Sequence, residues 1–487
     1  MFNAALNDST LFKFQGFING EWVAADSGEE FDVINPANGE CIAKVANLGA
    51  SETQKAIVAA HEALEVWANI TAKEKSIYLR KWYDLVIEHQ NDLAHIMSLE
   101  QGKILSEALG EVIYGASYIE WFAEEAKRIY GDLLPSTTLN RRSLVMKQPI
   151  GVVAAITPWN FPTAMITRKV APALAAGCAI VLKPAAETPL SALALAELAQ
   201  RAGIPKGLFS VIPGTDAVAI GEQLTSHKLV KKVTFTGSTR VGKLLMAQSA
   251  QTVKRTSMEL GGNAPVLVFS DADIDKAVEG TFAAKFRNAG QTCICANRLL
   301  VHASVYDEFV TKLTEKVSHF VLGNGMEASS TMGPLITNDA VENVSDLVAD
   351  AVGKGATVNI GGAAREGEGY FYQPTVICGL DQTMRLSKEE VFGPVAPVFK
   401  FESDDEAIAM ANDTEFGLAA YIFTNDQSRC WRVSERLEYG MVGVNETAIS
   451  SEMIPFGGIK ESGQGREGSK YGLDDYLETK YICLGNI

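Results

Sequence analysis

Several common signatures of metal and disulfide chemistry are absent from this 487-residue chain. None of the seven cysteines forms a C-x-x-C pair, and none of the six histidines belongs to an H-E-x-x-H motif. Zinc ribbons and thioredoxin-like motifs therefore lack support, and we expect no metal. An odd number of dispersed cysteines is typical of a reducing compartment, so the predicted localisation is cytoplasmic.

Long apolar runs and an excess of basic residues are also missing. The longest apolar stretch, 170–182, contains Pro172 and Gly177 and is shorter than the about 20 residues of a membrane span. The first ten residues show neither the basic nor the apolar region of a signal peptide. The net charge of −16 opposes nucleic-acid binding but is compatible with a local positive pocket for an anionic substrate. We expect neither a membrane nor a nucleic-acid partner.

The length and the apolar spacing predict a chain of about two or three domains. Residues 17–45 alternate β-rich runs with turn pairs, which predicts strands joined by hairpins. Residues 51–127 carry apolar residues at helical spacing, with Ser51 as a cap, and predict three long helices. Residues 136–149 predict an extended ribbon.

From Gly151 onward, short apolar runs alternate with helical stretches, which predicts a parallel sheet of an α/β fold. A second alternating series, from Arg298 to about Val444, predicts a second α/β domain, and the alternation after Tyr471 predicts one more strand. Parallel sheets bind ligands at the carboxyl ends of their strands. The strands predicted in the first series are Val152–Ile156, Ala179–Leu182, Leu208–Ile212, Lys232–Thr236 and Ala264–Phe269.

Three polar segments fall at predicted strand-to-helix junctions: 157–162, 259–262 and 288–293. They contribute the amide of Asn160, the carboxylate of Glu259 and the thiol of Cys293. Each residue alone has a simpler structural interpretation, as a turn former, a helix-end residue and a core cysteine. Together they supply an oxyanion donor, a base for water and a nucleophile, which is the set that acyl chemistry through a thiol requires.

Six segments in this order resemble the aldehyde dehydrogenase superfamily, from about residue 17 to the C-terminus. The resemblance implies a Rossmann-type cofactor domain at 1–130 and 150–261, and an α/β catalytic domain at 262–471 with some return to the first domain near its end. It also implies a β oligomerisation arm at 131–149 and 472–487, and hence a homo-oligomer, either a dimer or a tetramer. The six segments are Pro158–Pro162, Phe235–Thr239, Glu259–Gly262, Gly290–Cys293, Glu389–Pro394 and Pro455–Gly458.

The resemblance implies a role for each of the three chemical groups. Cys293 as a thiolate attacks an aldehyde carbonyl, and the oxyanion is held by the Asn160 side-chain amide and the Cys293 backbone N–H. After hydride transfer a thioester remains, and Glu259 activates the water that releases the acid. Because an ordinary cysteine has a pKa of about 8.5, we expect a helix N-terminus or another positive field to favour the thiolate.

The resemblance also implies the residues that hold a nicotinamide cofactor. Gly237 and Ser238, at a strand end that enters a helix, are expected at the pyrophosphate, since a helix N-terminus offers free N–H donors. Lys169 is expected near the ribose and the active-site side of Asn160. The other expected cofactor residues are Trp159, Lys183, Ala186, Leu260, Glu390 and Phe392.

One segment partly matches the P-loop, a different nucleotide-binding motif. Residues 237–243 begin as the P-loop pattern G-x-x-x-x-G-K, but the next residue is Leu244, so the hydroxyl that binds Mg²⁺ is missing. The P-loop interpretation is therefore set aside.

The residue three positions after Lys183 bears on the choice between NAD and NADP. NAD-preferring members of the superfamily often have a glutamate there, which binds the ribose hydroxyls, whereas this chain has Ala186. Without that carboxylate, Lys183 is free to pair with a 2′-phosphate. The sequence favours NADP and leaves NAD open, because the adjacent Glu187 allows either.

Segments 159–177, 286–295 and 465–471 are similar to the succinate-semialdehyde dehydrogenase branch. That similarity implies Arg168, Arg287 and Ser451, with Ser450 as the alternative serine, as ligands of a distal substrate carboxylate. The alternative interpretation is a helix-capping Arg168 and a solvated Arg287. Glutarate semialdehyde stays open as the substrate, because one methylene changes binding by only about 1–3 kcal/mol.

Cys295 has two interpretations, a spare core thiol or a partner that forms a reversible disulfide with Cys293. Other classes of protein have less support. Glu259 argues against a CoA-acylating enzyme, and the intact catalytic set argues against a non-catalytic protein on this fold. A cysteine hydrolase lacks a histidine near any motif.

Overall fold

The structure is a computed structural model of the chain and describes residues 6–486. Residues 1–5, part of the segment in which no signal peptide is predicted, and Ile487, at the end of the predicted arm, lie outside the described residues. The chain begins with two antiparallel pairs of strands, β1 with β2 and β3 with β4. Their bounds are Gly16–Ile18, Glu21–Val23, Glu30–Ile34 and Cys41–Ala46.

Four helices follow, whereas three are predicted. They are α1 (Ala50–Ala68), α2 (Ala72–Glu88), α3 (Gln90–Gln101) and α4 (Leu105–Glu125). Thr71 and Glu74 form a capping box that starts α2, and Gly102, in the left-handed conformation at φ 91°, ends α3. Only His89 separates α2 from α3, so the helical spacing of apolar residues runs through the break and does not mark it.

The first large sheet has the strand order β19-β11-β10-β7-β8-β9-β1-β2, and its central strands β7 to β11 are parallel. Helices connect these strands, as the alternation of apolar runs predicts. The elements are β7 (Val152–Ile156), α5 (Ala164–Ala176), β8 (Ala179–Lys183), α6 (Pro189–Arg201), β9 (Phe209–Val211), α7 (Ala217–Ser226), β10 (Val230–Thr236), α8 (Thr239–Ala250), β11 (Arg255–Glu259) and the edge strand β19 (Gly463–Gln464).

The second sheet has seven strands in the order β14-β15-β16-β13-β12-β17-β18 and confirms a second α/β series. The predicted place of 264–269 in the first series is wrong, because β12 pairs within the second sheet. Its elements are β12 (Ala264–Val268), α9 (Ile274–Phe286), β13 (Ala296–His302), α10 (Tyr306–Val317), α11 (Asn338–Gly353), β14 (Thr357–Ile360), β15 (Thr375–Cys378), β16 (Val395–Phe401), α12 (Asp404–Asn412), β17 (Ala419–Phe423), α13 (Gln427–Arg436) and β18 (Met441–Val444).

A three-stranded sheet combines β5 (Asp132–Leu134) and β6 (Arg141–Pro149) with β20 (Leu477–Gly485). The nine residues of β20 pair with β6 from end to end, so the predicted ribbon and the predicted last strand are neighbours. The division into domains at 130, 149, 261 and 471 stays a prediction.

The two large sheets meet at a short connection. β11 ends at Glu259 in the first sheet, and β12 starts at Ala264 in the second, so residues 260–263 cross between them. The first sheet and the second sheet pack in separate apolar cores: one core includes the strands of the first sheet, and two include those of the second. Among residues 6–486, no helix has both the length and the apolar character needed to cross a membrane.

Candidate active site

A cavity of about 240 Å³ lies where the two sheets meet. A water molecule needs only about 10–15 Å³ of such space, so the cavity has room for an organic ligand. The residues that line it are Pro158, Trp159, Asn160, Met165, Thr236, Gly237, Ser238, Glu259, Leu260, Gly261, Cys293, Glu390 and Phe392.

Cys293 reaches the cavity from a strained turn between α9 and β13. Asn288, Ala289 and Gly290 all have left-handed φ angles, which cost a non-glycine residue about 1–3 kcal/mol each. Buried Gln291 holds the turn, since its Nε2 donates to the carbonyl of Asn288 at 3.1 Å and its Oε1 accepts from the backbone of Ile336 at 3.0 Å. The turn therefore fixes the backbone two residues before the thiol.

The connection between the sheets packs directly on this turn. A Cβ on Gly262 would lie 2.2 Å from the carbonyl oxygen of Cys293, so only glycine permits this approach. Cys293 itself lies between a short 3₁₀ turn (Arg287–Gly290) and the strand β13. The expected strand-to-helix junction at Cys293 is therefore wrong, and of the two expected sources of a positive field, a helix N-terminus does not lie at Cys293.

The positive field at Cys293 comes from side chains instead. Burial raises the pKa of the Cys293 thiol to about 12, against the opposing charges of Arg168 and Arg287. Glu390 and Glu259 add to the increase in that pKa. In the free chain Cys293 is thus a neutral thiol at neutral pH, and a further positive charge is needed to favour the thiolate.

Asn160 is buried beside Cys293, in the segment after β7, and is held at two points. Its side-chain Nδ2 donates to the carbonyl of Gln291 at 3.0 Å. Its backbone carbonyl accepts from the ammonium of Lys103 at 2.8 Å and from Nδ2 of Asn288 at 3.0 Å. Because a side-chain amide carries two N–H groups, one remains to donate to an oxyanion.

Glu259 is the last residue of β11 and is only 3% exposed. Its predicted place at a strand-to-helix junction is wrong, because the chain passes into the other sheet. Neither carboxylate oxygen has a hydrogen-bond partner among residues 6–486. Burial and the carboxylate of Glu467 raise the pKa of Glu259 well above its ordinary value, against the charges of Arg168 and Lys169. This environment favours the protonated form of Glu259, and only its ionised form can act as a base.

Trp159, Phe392 and Glu390 form the wall of the cavity beyond Cys293. The rings of Trp159 and Phe392 meet edge to face with centroids 5.6 Å apart. One oxygen of Glu390 accepts from the backbone of Gly262 at 3.1 Å, and burial raises the pKa of Glu390 to about 8. A Cβ on Gly261 would lie 2.9 Å from the other oxygen, so glycine leaves room for this carboxylate.

The expected pyrophosphate turn lies at the carboxyl end of β10. Ser238 is the N-cap of α8 and accepts from the backbone of Val241, so the first turn of the helix faces the cavity. Leu260 lies under this turn, packed so closely that a Cβ on Gly242 would be 2.4 Å from it. Lys243 forms an ion pair with Glu461 at 2.5 Å, which removes the lysine that a P-loop would need.

Lys183 ends β8 next to β7, at the same edge of the sheet. Its Nζ donates to the carbonyl of Pro184 at 3.2 Å. Burial lowers the pKa of Lys183, against the charge of exposed Glu187. Ala186, which lies between Lys183 and Glu187 in the sequence, is half-buried.

Arg168 and Lys169 lie side by side in α5, with 1% and 0% of their surface exposed. Both form ion pairs with the buried Glu467, and the Nε of Arg168 lies 2.8 Å from its Oε2. Nη2 of Arg168 has no hydrogen-bond partner among residues 6–486. The Arg168 guanidinium also lies over the rings of Tyr118 and Phe456, at 5.4 and 3.9 Å. Neither Arg168 nor Lys169 lines the main cavity.

Arg287 is exposed beside a smaller cavity next to the Cys293 turn, and its guanidinium lies 5.2 Å from the centre of the Phe161 ring. The two candidate serines follow closely after Thr447 and Ala448, which line this smaller cavity. The Ser450 hydroxyl is hydrogen-bonded to that of Tyr114, and the Ser451 carbonyl accepts from the Tyr118 hydroxyl at 3.2 Å.

Cys295 is buried, and its Sγ donates to the carbonyl of Lys285 at 3.3 Å. Cys293 and Cys295 are both free thiols in the structure. This packing is that of a core thiol, and the reversible disulfide stays a prediction. Residues 6–486 hold no group of three or more His, Cys, Asp or Glu side chains arranged for a metal.

Sequence reasoning missed the buried charges that surround these residues. Glu467 binds Arg168 and Lys169, and the pair of Lys103 and Glu111 lies behind Asn160. The available signal was weak, since a charged residue in a helix or loop is usually solvated.

A strand–helix nucleotide turn and a cysteine beside an amide and a buried carboxylate define a class of enzymes. Its members perform acyl chemistry on a cysteine next to a bound nucleotide cofactor. The model of the aldehyde dehydrogenase family matches residues 22–482, and the chain belongs to this family. The predicted family and α/β fold class are confirmed.

Relatives in this family are similar over almost their whole length. The chain is 59% identical over 480 residues to the succinate-semialdehyde dehydrogenase [NADP(+)] of Escherichia coli K12, covering 99% of both. It is 58% identical to the glutarate-semialdehyde dehydrogenase of Pseudomonas aeruginosa, covering 99% of this chain and 100% of that protein. The crystal structure of an E. coli NADP-dependent enzyme has a TM-score of 0.98 and 59% identity, covering 99% and 100% of the two chains.

Proposed function

We propose that this enzyme oxidises succinate semialdehyde to succinate with NADP, through a covalent intermediate on Cys293. The observation that carries the proposal is the meeting of Cys293, Asn160 and Glu259 on one cavity, with two arginine side chains in electrostatic reach of the thiol. Glutarate semialdehyde is the second candidate, because a relative of that name is 58% identical to the chain.

The residues of the cavity supply each step that the protein must perform. Cys293 attacks the aldehyde carbon, and the free N–H of the Asn160 amide and the Cys293 backbone N–H stabilise the oxyanion. After the substrate carbon is oxidised, an acyl group remains on Cys293 as a thioester. Glu259, once deprotonated, takes a proton from water, and the resulting attack releases the acid and the thiol.

The residues present fit a nicotinamide cofactor. Gly237 and the N-terminal turn of α8 leave space and N–H donors for a pyrophosphate, and Lys183 lies two strands away, at the end of β8. One oxygen of Glu390 accepts from Gly262, and the side chain has further acceptor capacity for ribose hydroxyls. When bound, NADP supplies the hydride acceptor. The positive charge of an oxidised nicotinamide beside Cys293 would favour the thiolate that burial disfavours.

The preference for NADP rests on Lys183 and Ala186. Because residue 186 is alanine, Lys183 has no carboxylate partner at that position. The 2′-phosphate of NADP can take that place as the anion that pairs with Lys183. Glu187 is exposed, which allows it to turn toward solvent.

Arg168, Arg287 and the Ser450–Ser451 segment are proposed to hold the distal carboxylate of the substrate. Nη2 of Arg168 is buried without a partner among residues 6–486, and it is available to an anion that reaches the rings of Tyr118 and Phe456. Arg287 is exposed and can turn from Phe161 to the same anion. We assign the main role among the serines to Ser451, with Ser450 as the alternative.

The three-stranded sheet of β5, β6 and β20 is proposed as the oligomerisation arm. Leu133, Leu139 and Tyr481 of this sheet and its connection are 70%, 98% and 59% exposed, and a second copy of the chain would cover them. We propose a cytoplasmic homo-oligomer, either a dimer or a tetramer. The cofactor domain is proposed at 1–130 and 150–261 and the catalytic domain at 262–471.

Absorbance of NADPH or NADH tests the proposal, with succinate semialdehyde, glutarate semialdehyde and propanal as substrates. Wild type should favour succinate semialdehyde with NADP, and Cys293→Ala should be inactive. Arg287→Ala should lose about tenfold or more in kcat/KM for the semialdehydes, but not for propanal. The matched control is Arg436→Ala, whose ion pair with Asp405 is on the surface. Reduction of neither cofactor with any of the aldehydes would overturn the proposed function.

A further inference from the structure

One face of α4 carries four polar side chains, Glu107, Glu111, Tyr114 and Tyr118, here called the α4 stripe. Residues spaced by three and four positions lie above one another on a helix, so the four share one face. Glu111 and Tyr118 are buried, and Glu107 and Tyr114 are half-buried. Such groups need partners, and their partners lie in three different segments of the active site.

The first member of the stripe contacts the strained turn before Cys293. Glu107 accepts from the backbone N–H of Asn288 at 2.9 Å. The side chain of Asn288 in turn donates to the carbonyl of Asn160. Glu107 therefore ties the turn that carries the thiol to the segment that carries the amide donor.

Glu111 holds the segment of Asn160 directly. One carboxylate oxygen accepts from the backbones of Thr163 and Ala164, at 2.8 and 3.2 Å, and so caps the N-terminus of α5. The other oxygen pairs with Lys103 at 2.5 Å, and the same ammonium donates to the carbonyl of Asn160. One buried ion pair thus fixes both the oxyanion donor and the helix that bears Arg168.

The two tyrosines of the stripe contact the segment that carries Ser450 and Ser451. The hydroxyls of Tyr114 and Tyr118 are 2.9 Å apart, and they bind the Ser450 hydroxyl and the Ser451 carbonyl. The ring of Tyr118 packs under the guanidinium of Arg168. This half of the stripe therefore places the serine segment against the arginine.

We propose that the α4 stripe is a positioning device with two separable functions. Glu111, through Lys103, sets the oxyanion donor and so controls the chemical step. Tyr114, through its bond to Ser450, holds the Ser450–Ser451 segment in place and so controls recognition of the charged aldehyde. The assignment of Glu111 to the chemical step and of Tyr114 to substrate recognition rests on the proposed function.

The oxyanion half is tested with Glu111→Gln and with the pair variant Lys103→Met/Glu111→Met, which leaves no unpaired buried charge. The matched control is Glu100→Gln, because buried Glu100 also caps a helix, accepting from Leu190 and Ser191 at 2.7 and 2.8 Å. Both Glu111 variants should lose about 10–100-fold in kcat on propanal and on succinate semialdehyde, with KM changed less than about threefold. Glu100→Gln should lower thermal stability with kcat within about twofold of wild type.

The substrate half is tested with Tyr114→Phe, and the control is Tyr306→Phe, which removes a buried hydroxyl bonded to the carbonyl of Val398. Tyr114→Phe should raise KM for succinate semialdehyde by about fivefold or more and leave KM for propanal unchanged. Equal effects of Tyr114→Phe on both aldehydes, or equal kcat losses in Glu111→Gln and Glu100→Gln, would overturn the inference.

A readout independent of substrate separates this inference from the proposed function. Hydrogen exchange of the backbone amides in 288–293 should be faster in Glu111→Gln than in wild type and unchanged in Glu100→Gln. If wild type oxidises no aldehyde, the proposed function fails, while the exchange result still decides the positioning claim. Unchanged exchange in Glu111→Gln would overturn that claim.

Discussion

The side-chain Nδ2 of Asn160 donates to the backbone carbonyl of Gln291 at 3.0 Å, and Gln291 lies two residues before Cys293. This bond joins the end of a strand in one sheet to the turn that precedes a strand in the other. It sets the direction of the amide relative to the thiol before any ligand is present. Pre-set donors of this kind stabilise charge in a transition state without the cost of reorganising at that moment.

Asn160→Ala should lower kcat by about 10²–10³-fold, because it removes a side-chain donor to the oxyanion. The lost bond to Gln291 should also reduce thermal stability, by about 1 kcal/mol. Steady-state kinetics and thermal unfolding measure the two effects. A variant with wild-type kcat would contradict the role of this amide.

Alkylation of Cys293 by iodoacetamide should depend strongly on pH and on cofactor. Burial raises the pKa of the thiol to about 12, so in the free enzyme the thiolate fraction is small at neutral pH and increases as the pH rises. NADP should accelerate alkylation near neutral pH, because the positive nicotinamide ring lowers that pKa. The rate is followed by mass spectrometry of the Cys293 peptide. Fast alkylation of the free enzyme at low pH, with no effect of NADP, contradicts this electrostatic picture.

Glu259→Gln should form one equivalent of NADPH rapidly and then stop, because water is not activated to release the acyl group. In wild type, the rate of acyl release should rise with pH, since the pKa of Glu259 is raised and only its ionised form is a base. Rapid-mixing measurements separate the first turnover from later ones. Steady turnover by Glu259→Gln at the wild-type rate would exclude Glu259 as the base.

Ala186→Glu should shift the preference from NADP toward NAD by about tenfold or more in the ratio of kcat/KM values. The new carboxylate pairs with Lys183 and repels a 2′-phosphate. Ala185→Glu, one position away, is the matched control. If both variants keep the wild-type ratio, Ala186 does not determine cofactor choice.

The residues that meet at the cavity were predictable because their chemistry is carried by short segments. Asn160, Glu259 and Cys293 were identified as a set, although no spacing rule brings them together without the fold. The junction types of Glu259 and Cys293 were not predictable, because β11 passes straight into another sheet and a 3₁₀ turn replaces a helix start. Apolar periodicity reports a strand or helix but not the sheet to which it belongs.

The buried charged residues around the site could not be predicted from the sequence for a different reason. Glu111 and Lys103 are as polar in sequence as any solvated pair, and the sequence does not show that the fold buries both. Glu467 lies in an irregular segment, 208 residues after the Glu259 it influences. The break at His89 was missed because the apolar faces of α2 and α3 follow one another without interruption.

The most direct test of the central claim is the mass of the Glu259→Gln enzyme after mixing with succinate semialdehyde and NADP. The account predicts one added succinyl group per chain, located on Cys293 by peptide mapping, with one equivalent of NADPH formed. Formation of NADPH without an acyl group on Cys293, or with the group on another residue, would contradict it.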